Sequence, residues 1–193
     1  MLQKQAKVLS ETQIKALSRH LATTRLPIRN QLILFLSARA GLRAKEIAEL
    51  TWSMVTDAEG VVQDVIRLSD TAAKGNAGGV IPMAAKVRLL LIAHSKIDPP
   101  RAGSQRVIRT YRTDKTSAQV IVNMFSHWYR ELGFEGCSSH SGRRTFITRA
   151  ARNIGRFGGS LRDVQALARH RSLAMTQRYI EIDSEAMRKV VDA

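Results

Sequence analysis

Cysteine, acidic side chains, aromatics and long apolar runs are all scarce in this chain of 193 residues. The single cysteine, Cys137, rules out an intrachain disulfide, and a reducing cytoplasmic setting is expected. No Cys/His cluster has the spacing of a zinc site, so neither a metal nor a cofactor is expected. Apolar runs are short: Leu32 to Leu36 is as long as any, far below the roughly 20 residues that cross a bilayer. The first residues, MLQKQAKVLS, hold no apolar run of signal-peptide length. Aromatics at 5% are too few for a stacking platform along a single nucleic acid strand. Acidic groups number 16 against 31 Lys and Arg, for a net charge of +15.

That excess repels itself in the folded state unless a polyanion compensates it. Nucleic acid is the first partner it implies, and double-stranded DNA held by its phosphates fits best. An anionic membrane surface ranks lower, because the basic residues are spread through helices and loops instead of lining one Lys-rich amphipathic face. Hydrophobic residues at 44% suit a globular chain, and the length favours one domain over residues 1–193.

The pattern predicts a mainly α chain with a small antiparallel β-sheet. Ser10 with Gln13 makes a capping box that opens a helix over 11–21. Pro27 separates it from an apolar helix over 29–40, ended by Gly41 as a left-handed cap. A short helix over 43–50 follows. Val61 to Ser69 and Gly79 to Met83 are rich in β-branched residues and flank the turn Lys74-Gly75-Asn76, which predicts a hairpin or a three-stranded sheet. Further helices are expected over 84–94, 116–132, 141–152, 161–169, 173–180 and 184–191, with Ser160 and Ser172 as N-caps. The polar stretch 95–115 contains Pro99, Pro100 and Gly103 and reads as a loop. It carries Arg101, Arg106, Arg109, Arg112 and Lys115, expected DNA contacts together with Arg144.

Three tyrosines are candidates for nucleophilic chemistry. Tyr129 sits on the apolar face of a helix and reads as packing. Tyr111 lies in the basic loop, where a phosphate contact is the modest role. Tyr179 follows His170 amid Arg169, Arg171 and Arg178. His140 and Arg143 share one face of a helix start, with Gly142 between them permitting a close approach. An arginine there can grip a phosphate through two parallel hydrogen bonds. Gly41-Leu42-Arg43 leads into Glu46 one turn on, which can hold Arg43 in place. By itself such a pair is a surface salt bridge worth little.

These motifs together resemble the tyrosine recombinase, or phage integrase, family. Its first arginine motif resembles Gly41-Leu42-Arg43 with Glu46, and its hairpin lysine resembles Lys74 before Val80-Ile81-Pro82-Met83. Its His-x-x-Arg motif resembles His140 to Arg143. Its late histidine and nucleophile resemble His170 and Tyr179, nine residues apart. The resemblance runs from about residue 10 to 181, with two departures. Gly142 stands where the family often has leucine, and Arg169 where it usually has glycine. Most relatives also carry an N-terminal domain that grips the other face of the duplex. The expectation here is a compact form without it, either a stand-alone protein or a fragment.

The resemblance implies the recombinase catalytic-domain fold and cleavage of a DNA strand by Tyr179. Tyrosine, with a reference pKa of about 10, needs help at neutral pH, and nearby arginines favour the phenolate. Arg43 and Arg143 would clamp the charge developing on the phosphate, with His170 as a further donor. Lys74 would protonate the leaving 5′ oxygen and His140 would assist proton transfer. The 3′-phosphotyrosine preserves the bond energy, so rejoining needs neither ATP nor a metal. The implied assembly is a homotetramer on two duplexes, with 182–193 as an exchanged segment and an accessory DNA-binding protein as a further partner. The expected location is cytoplasmic, on the nucleoid when bound.

Two other classes compete: relaxation of one duplex in the manner of a type IB topoisomerase, and a DNA-binding regulator without catalysis. All three share one expectation from the charge. Each neutralised phosphate steepens log affinity against log salt by about 0.9, so six contacts lower duplex affinity by roughly 10³ between 50 and 200 mM salt. Fluorescence anisotropy across that range checks this, and affinity independent of salt would refute it.

Overall fold

The protein is described from a computed structural model, which covers residues 5–73, 78–110 and 113–179. Lys74, Tyr111, Arg112 and the expected segment 182–193 lie outside the described residues. The chain packs as two compact units, Met1–Phe146 and Ile147–Ala193.

In the first unit, α1 (Glu11–Ala22) opens on the predicted capping box: Gln13 N–H donates to Ser10 Oγ at 3.1 Å, and Ser10 N–H to Gln13 Oε1 at 2.9 Å. α2 (Pro27–Ala40) starts at Pro27, two residues earlier than expected. Proline fits the first helical position because its missing N–H has no partner there. Leu32, Ile33, Leu34 and Leu36 are fully buried and Phe35 nearly so, so the middle of α2 is buried on every side. Such a helix must lie at the centre of a core. α1, α3 (Ala44–Glu49) and α4 (Ala85–Ile97) pack against it, and α5 (Ala118–Glu131) packs on α3. α5 buries Ile121, Phe125, Trp128 and Tyr129, and Ser117 caps it by accepting from Val120 N–H at 3.2 Å.

The sheet is the two-stranded alternative of the expectation, with a first strand shorter than the run Val61 to Ser69. β1 (Val65–Leu68) and β2 (Gly79–Pro82) form one antiparallel pair in the register Val65 to Pro82 and Leu68 to Gly79. Ile66, Leu68 and Ile81 face the core. Val62, placed by its β-branching in the first strand, makes only an isolated bridge to Thr56. A tight turn at Asp57, whose carboxylate accepts from Val61 N–H at 2.8 Å, takes the backbone that a longer strand would need. The stretch after α4 is a loop, as expected, but part of it is tucked into the core: Val107 and Ile108 are each 1% exposed. Thr51 bridges Arg106, and Val107 N–H donates to Leu50 O at 2.8 Å.

α6 (Ser141–Asn153) begins in the first unit and continues into the second, where a 3-10 turn (Ile154–Phe157), α7 (Leu161–Ala168) and α8 (Leu173–Gln177) follow. α7 packs on α8. The Asp163 carboxylate accepts from Ser160 N–H at 2.7 Å and from its hydroxyl at 2.9 Å, and these bonds hold it below the usual carboxylate range. Ser172 stands at the N-cap of α8, but its hydroxyl makes no cap bond. The expected helix over 173–180 is a single short turn of helix ending at Gln177.

Gly142 is a packing contact. A Cβ built on it would lie 2.4 Å from Ser37 Oγ on α2, and Ser37 is wholly buried. This explains the departure from leucine: the start of α6 presses on α2 with no room for a side chain. Gly142→Ala is therefore expected to destabilise the protein by about 1–3 kcal/mol, the usual cost of overpacking. Urea denaturation measures it, and a neutral effect would show that Ser37 yields freely.

Candidate active site

The first cluster is built at the end of α2. Gly41 adopts the left-handed conformation, φ 65°, that terminates the helix. A Cβ there would also meet the Phe146 ring at 2.5 Å. This turn frees the Gly41 carbonyl to point away from the helix ladder, and Arg143 Nη1 donates to it at 2.5 Å. Arg143 is 4% exposed, so its guanidinium is anchored inside the protein instead of swinging in water. Two residues beyond Gly41, Arg43 opens α3. Glu46 accepts from Arg43 N–H at 2.9 Å with one oxygen and from Arg43 Nη1 at 2.7 Å with the other. The Glu46 side chain is wholly buried while that of Arg43 keeps 19% of its surface. The pair is thus a built support for Arg43, not the surface salt bridge that spacing alone describes.

His140 is exposed at the first turn of α6, where its carbonyl accepts from Arg144 N–H at 2.9 Å. A serine turn shapes this entry. Ser141 Oγ accepts from Ser138 N–H at 3.0 Å, and Ser138 Oγ from His140 N–H at 3.3 Å. Thr145, also wholly buried, takes Leu9 N–H at 2.8 Å and donates to Ser141 O at 2.7 Å. Sequence reasoning missed these supports, although the run Ser138-Ser139 before a helix is a turn signal.

The second cluster lies in the second unit. α7 ends on Arg169, whose φ of 51° and ψ of 48° close the helix in the left-handed conformation. His170 follows, 6% exposed, with Nδ1 3.0 Å from Thr176 Oγ1. Its ring stacks on Tyr179 at 5.4 Å between centroids and 28° between planes. Thr148 on α6 donates to the Tyr179 carbonyl at 3.3 Å, and Tyr179 N–H donates to Thr176 O at 3.0 Å. Thr176 therefore touches both partners. It sits three residues before the tyrosine, a helical spacing that would have flagged it.

The remaining tyrosine and histidines among the described residues are occupied elsewhere. Tyr129 is 2% exposed and stacks on Phe125, and burial pushes its phenol well above the ordinary tyrosine range. His94 bonds the Val107 carbonyl at 2.8 Å and stacks on Trp52, and burial lowers its pKa. His20 and His127 both pair with Glu131.

The basic loop divides in two. Arg106 is held by the Glu49 carboxylate and carbonyl, and Arg109 by Asp98 and Asp114. These arginines stitch the loop to the core and are less available to phosphates than sequence alone suggests. Arg101 and Lys115 are exposed. All four line a cleft of about 400 Å³ together with Thr51, Ser104, Gln105 and Asp114. Arg144, at the start of α6, bonds the Gln5 side chain.

The sequence profile of the phage integrase family matches residues 7–186, so the chain belongs to that family. It is 25% identical over 171 residues to tyrosine recombinase XerD of Haemophilus influenzae, covering 86% of this chain and 54% of that protein. It is 27% identical over 166 residues to tyrosine recombinase XerC of Rhizobium meliloti, covering 85% of this chain and 49% of that one. The chain thus spans about half the length of these relatives. Its fold is that of the XerA recombinase crystal structure, with a TM-score of 0.71 at 22% identity over 95% of this chain and 61% of that one. The Tn1549 transposon integrase, solved with circular intermediate DNA, superposes with a TM-score of 0.79 at 18% identity, over 97% of this chain and 66% of that one. Among the described residues no helix is long and apolar enough to cross a membrane.

The Arg43–Glu46 geometry carries its own test. Glu46→Ala strands the Arg43 guanidinium and the Arg43 backbone N–H. It should cost about 3 kcal/mol, the lower end for breaking a buried pair, because Arg43 keeps some contact with water. Thermal or urea unfolding reads this directly. A loss under about 0.5 kcal/mol, as for an exposed pair, would overturn the assignment.

Proposed function

We propose that this protein is a tyrosine recombinase that breaks and rejoins duplex DNA at specific sites through a 3′-phosphotyrosine, and that residues 1–193 act as one catalytic domain. The observation that carries the reading is the stack of His170 on Tyr179, with Thr176 bonded to the imidazole. A tyrosine and a histidine held this way form a pre-oriented nucleophile and donor. Two arginines fastened at one turn, Arg143 to the Gly41 carbonyl and Arg43 to Glu46, supply the cationic clamp in the first unit.

In this mechanism Tyr179 Oη attacks phosphorus and the bond to the 5′ oxygen breaks. The phenol proton leaves with help from His140, and Lys74 protonates the 5′ oxygen as it departs. Arg43, Arg143 and His170 hold the non-bridging oxygens, whose charge grows in the transition state. The 5′ hydroxyl of another strand then attacks the phosphotyrosine in reverse. Duplex DNA as substrate is supported by the +15 charge and by the DNA-bound Tn1549 integrase. Exposed Arg101 and Lys115 are the loop cations best placed for its phosphates, with Arg112, Arg144, Arg106 and Arg109 as further contacts. The acting form is a homotetramer on paired sites, with 182–193 exchanged between subunits and an accessory DNA-binding protein assisting, in the cytoplasm on the nucleoid.

Incubation with a nicked suicide substrate tests the chemistry. The wild-type chain should form a covalent adduct that survives denaturation, and Tyr179→Phe should bind the same DNA without forming one. Adduct formation by the phenylalanine variant would move the nucleophile elsewhere, Tyr111 first. Adducts that only relax a single supercoiled circle, and never join two sites, would favour the topoisomerase class. DNA binding with no adduct from the wild type would favour the regulator.

A further inference from the structure

Thr176 is wholly buried, and its hydroxyl is used differently from others in this chain. In helices and turns a threonine commonly aims its Oγ1 back at a carbonyl three or four residues earlier. Thr23, Thr24, Thr56 and Thr145 all do so, donating to His20 O, Leu21 O, Trp52 O and Ser141 O. Thr176 does not. Side chains on a helix lean toward its N-terminus, and on α8 that direction leads back past the N-cap Ser172 to His170. Thr176 Oγ1 lies 3.0 Å from His170 Nδ1, and among the described residues this hydroxyl has no other partner.

That single bond decides where the imidazole carries its proton. A neutral imidazole has one N–H and one bare nitrogen, and the bond made by one nitrogen sets the state of the other. With the proton on Nδ1, the ring would donate to Thr176 Oγ1. The threonine proton would then be left in the interior with no acceptor, at the cost of its lost hydration. With the proton on Nε2, Thr176 O–H donates to Nδ1 and both groups are satisfied. The second arrangement is therefore the lower in energy. It is also the one that the chemistry needs. Tyr179 stacks on the ring face and Nδ1 is given to Thr176, so a phosphate oxygen can be met in the ring plane through Nε2 alone. A bare Nε2 would turn a lone pair toward the growing negative charge, whereas a protonated one donates to it. We infer that Thr176 is a positioning residue, whose hydroxyl donates to Nδ1 and so keeps the His170 proton on Nε2, facing the phosphate.

The inference rests on His170 being a donor to the reacting phosphate, and the test separates the two claims. Long-range ¹H–¹⁵N spectra of the free wild-type protein near neutral pH should show His170 protonated on Nε2 alone. A proton on Nδ1, alone or together with one on Nε2, would overturn the inference. Thr176→Val keeps the shape of the side chain and removes the donor. Its His170 signals should become averaged, and single-turnover cleavage of the nicked substrate should fall roughly tenfold or more, with DNA affinity changed less than about threefold. Thr176→Ser keeps the hydroxyl and should retain the Nε2 proton and at least about a third of the wild-type rate. Rates are compared below the melting temperature of each variant. A valine variant that cleaves within about twofold of wild type, or a serine variant no faster than valine, would overturn the inference. If the valine variant fails to fold, the wild-type spectrum still decides, and a folded serine variant below about a tenth of the wild-type rate would count against it equally. Absence of any adduct from the wild type would instead overturn the recombinase reading, while the spectra still show where Thr176 places the proton.

Discussion

The hydrogen bond from Arg143 to the Gly41 carbonyl organises much of the first unit. It needs a carbonyl released from the α2 ladder, which the left-handed glycine provides, and a buried arginine at the start of α6. It also needs α6 to lie close to α2, which Gly142 permits by lacking a side chain opposite Ser37. Arg43 inherits its place from the same turn, because α3 begins two residues later and Glu46 fastens it there. Two cations are thereby brought near one point without relying on surface side chains. Buried cations repel one another, and the arrangement holds because each guanidinium has an acceptor inside the protein.

The same economy of charge runs through the basic loop. A net charge of +15 suggests a surface covered in free cations, yet Arg106 and Arg109 are tied to Glu49, Asp98 and Asp114. In and beside this loop, Glu49, Asp98 and Asp114 hold arginines in structural roles. The cations left over, Arg101 and Lys115 among them, are exposed. Counting basic residues therefore overstates the unpaired positive charge of this loop, because Arg106 and Arg109 already hold carboxylates.

In the second unit, a short helix, a strained turn and a stacked pair of rings do the positioning. His170 is oriented by Thr176 and by Tyr179, and its backbone by Gln165. A histidine with two ring neighbours and a fixed backbone has little orientational freedom left to lose when a ligand arrives, which is the physical content of preorganisation.

Much of this was legible in the chain. Ser10 with Gln13, Gly41, and the apolar run of α2 announce their structures because capping and burial are local or periodic properties. The order Arg43, His140, Arg143, His170, Tyr179 was legible as a family pattern, and residues 7–186 belong to that family. Other features depended on partners far away in sequence. Val62 leaves the strand for an Asp57 turn, and Val107 is buried by pairing with Leu50 and His94. Gly142 is tight only because Ser37 is opposite it, and Glu46 is buried only because the core closes over α3. Local chemistry along the chain determined where helices start and stop and which residue types were available. Tertiary packing decided which arginines are anchored, which are tied up in ion pairs, and which imidazole meets a tyrosine, because burial and long-range pairing belong to no single segment.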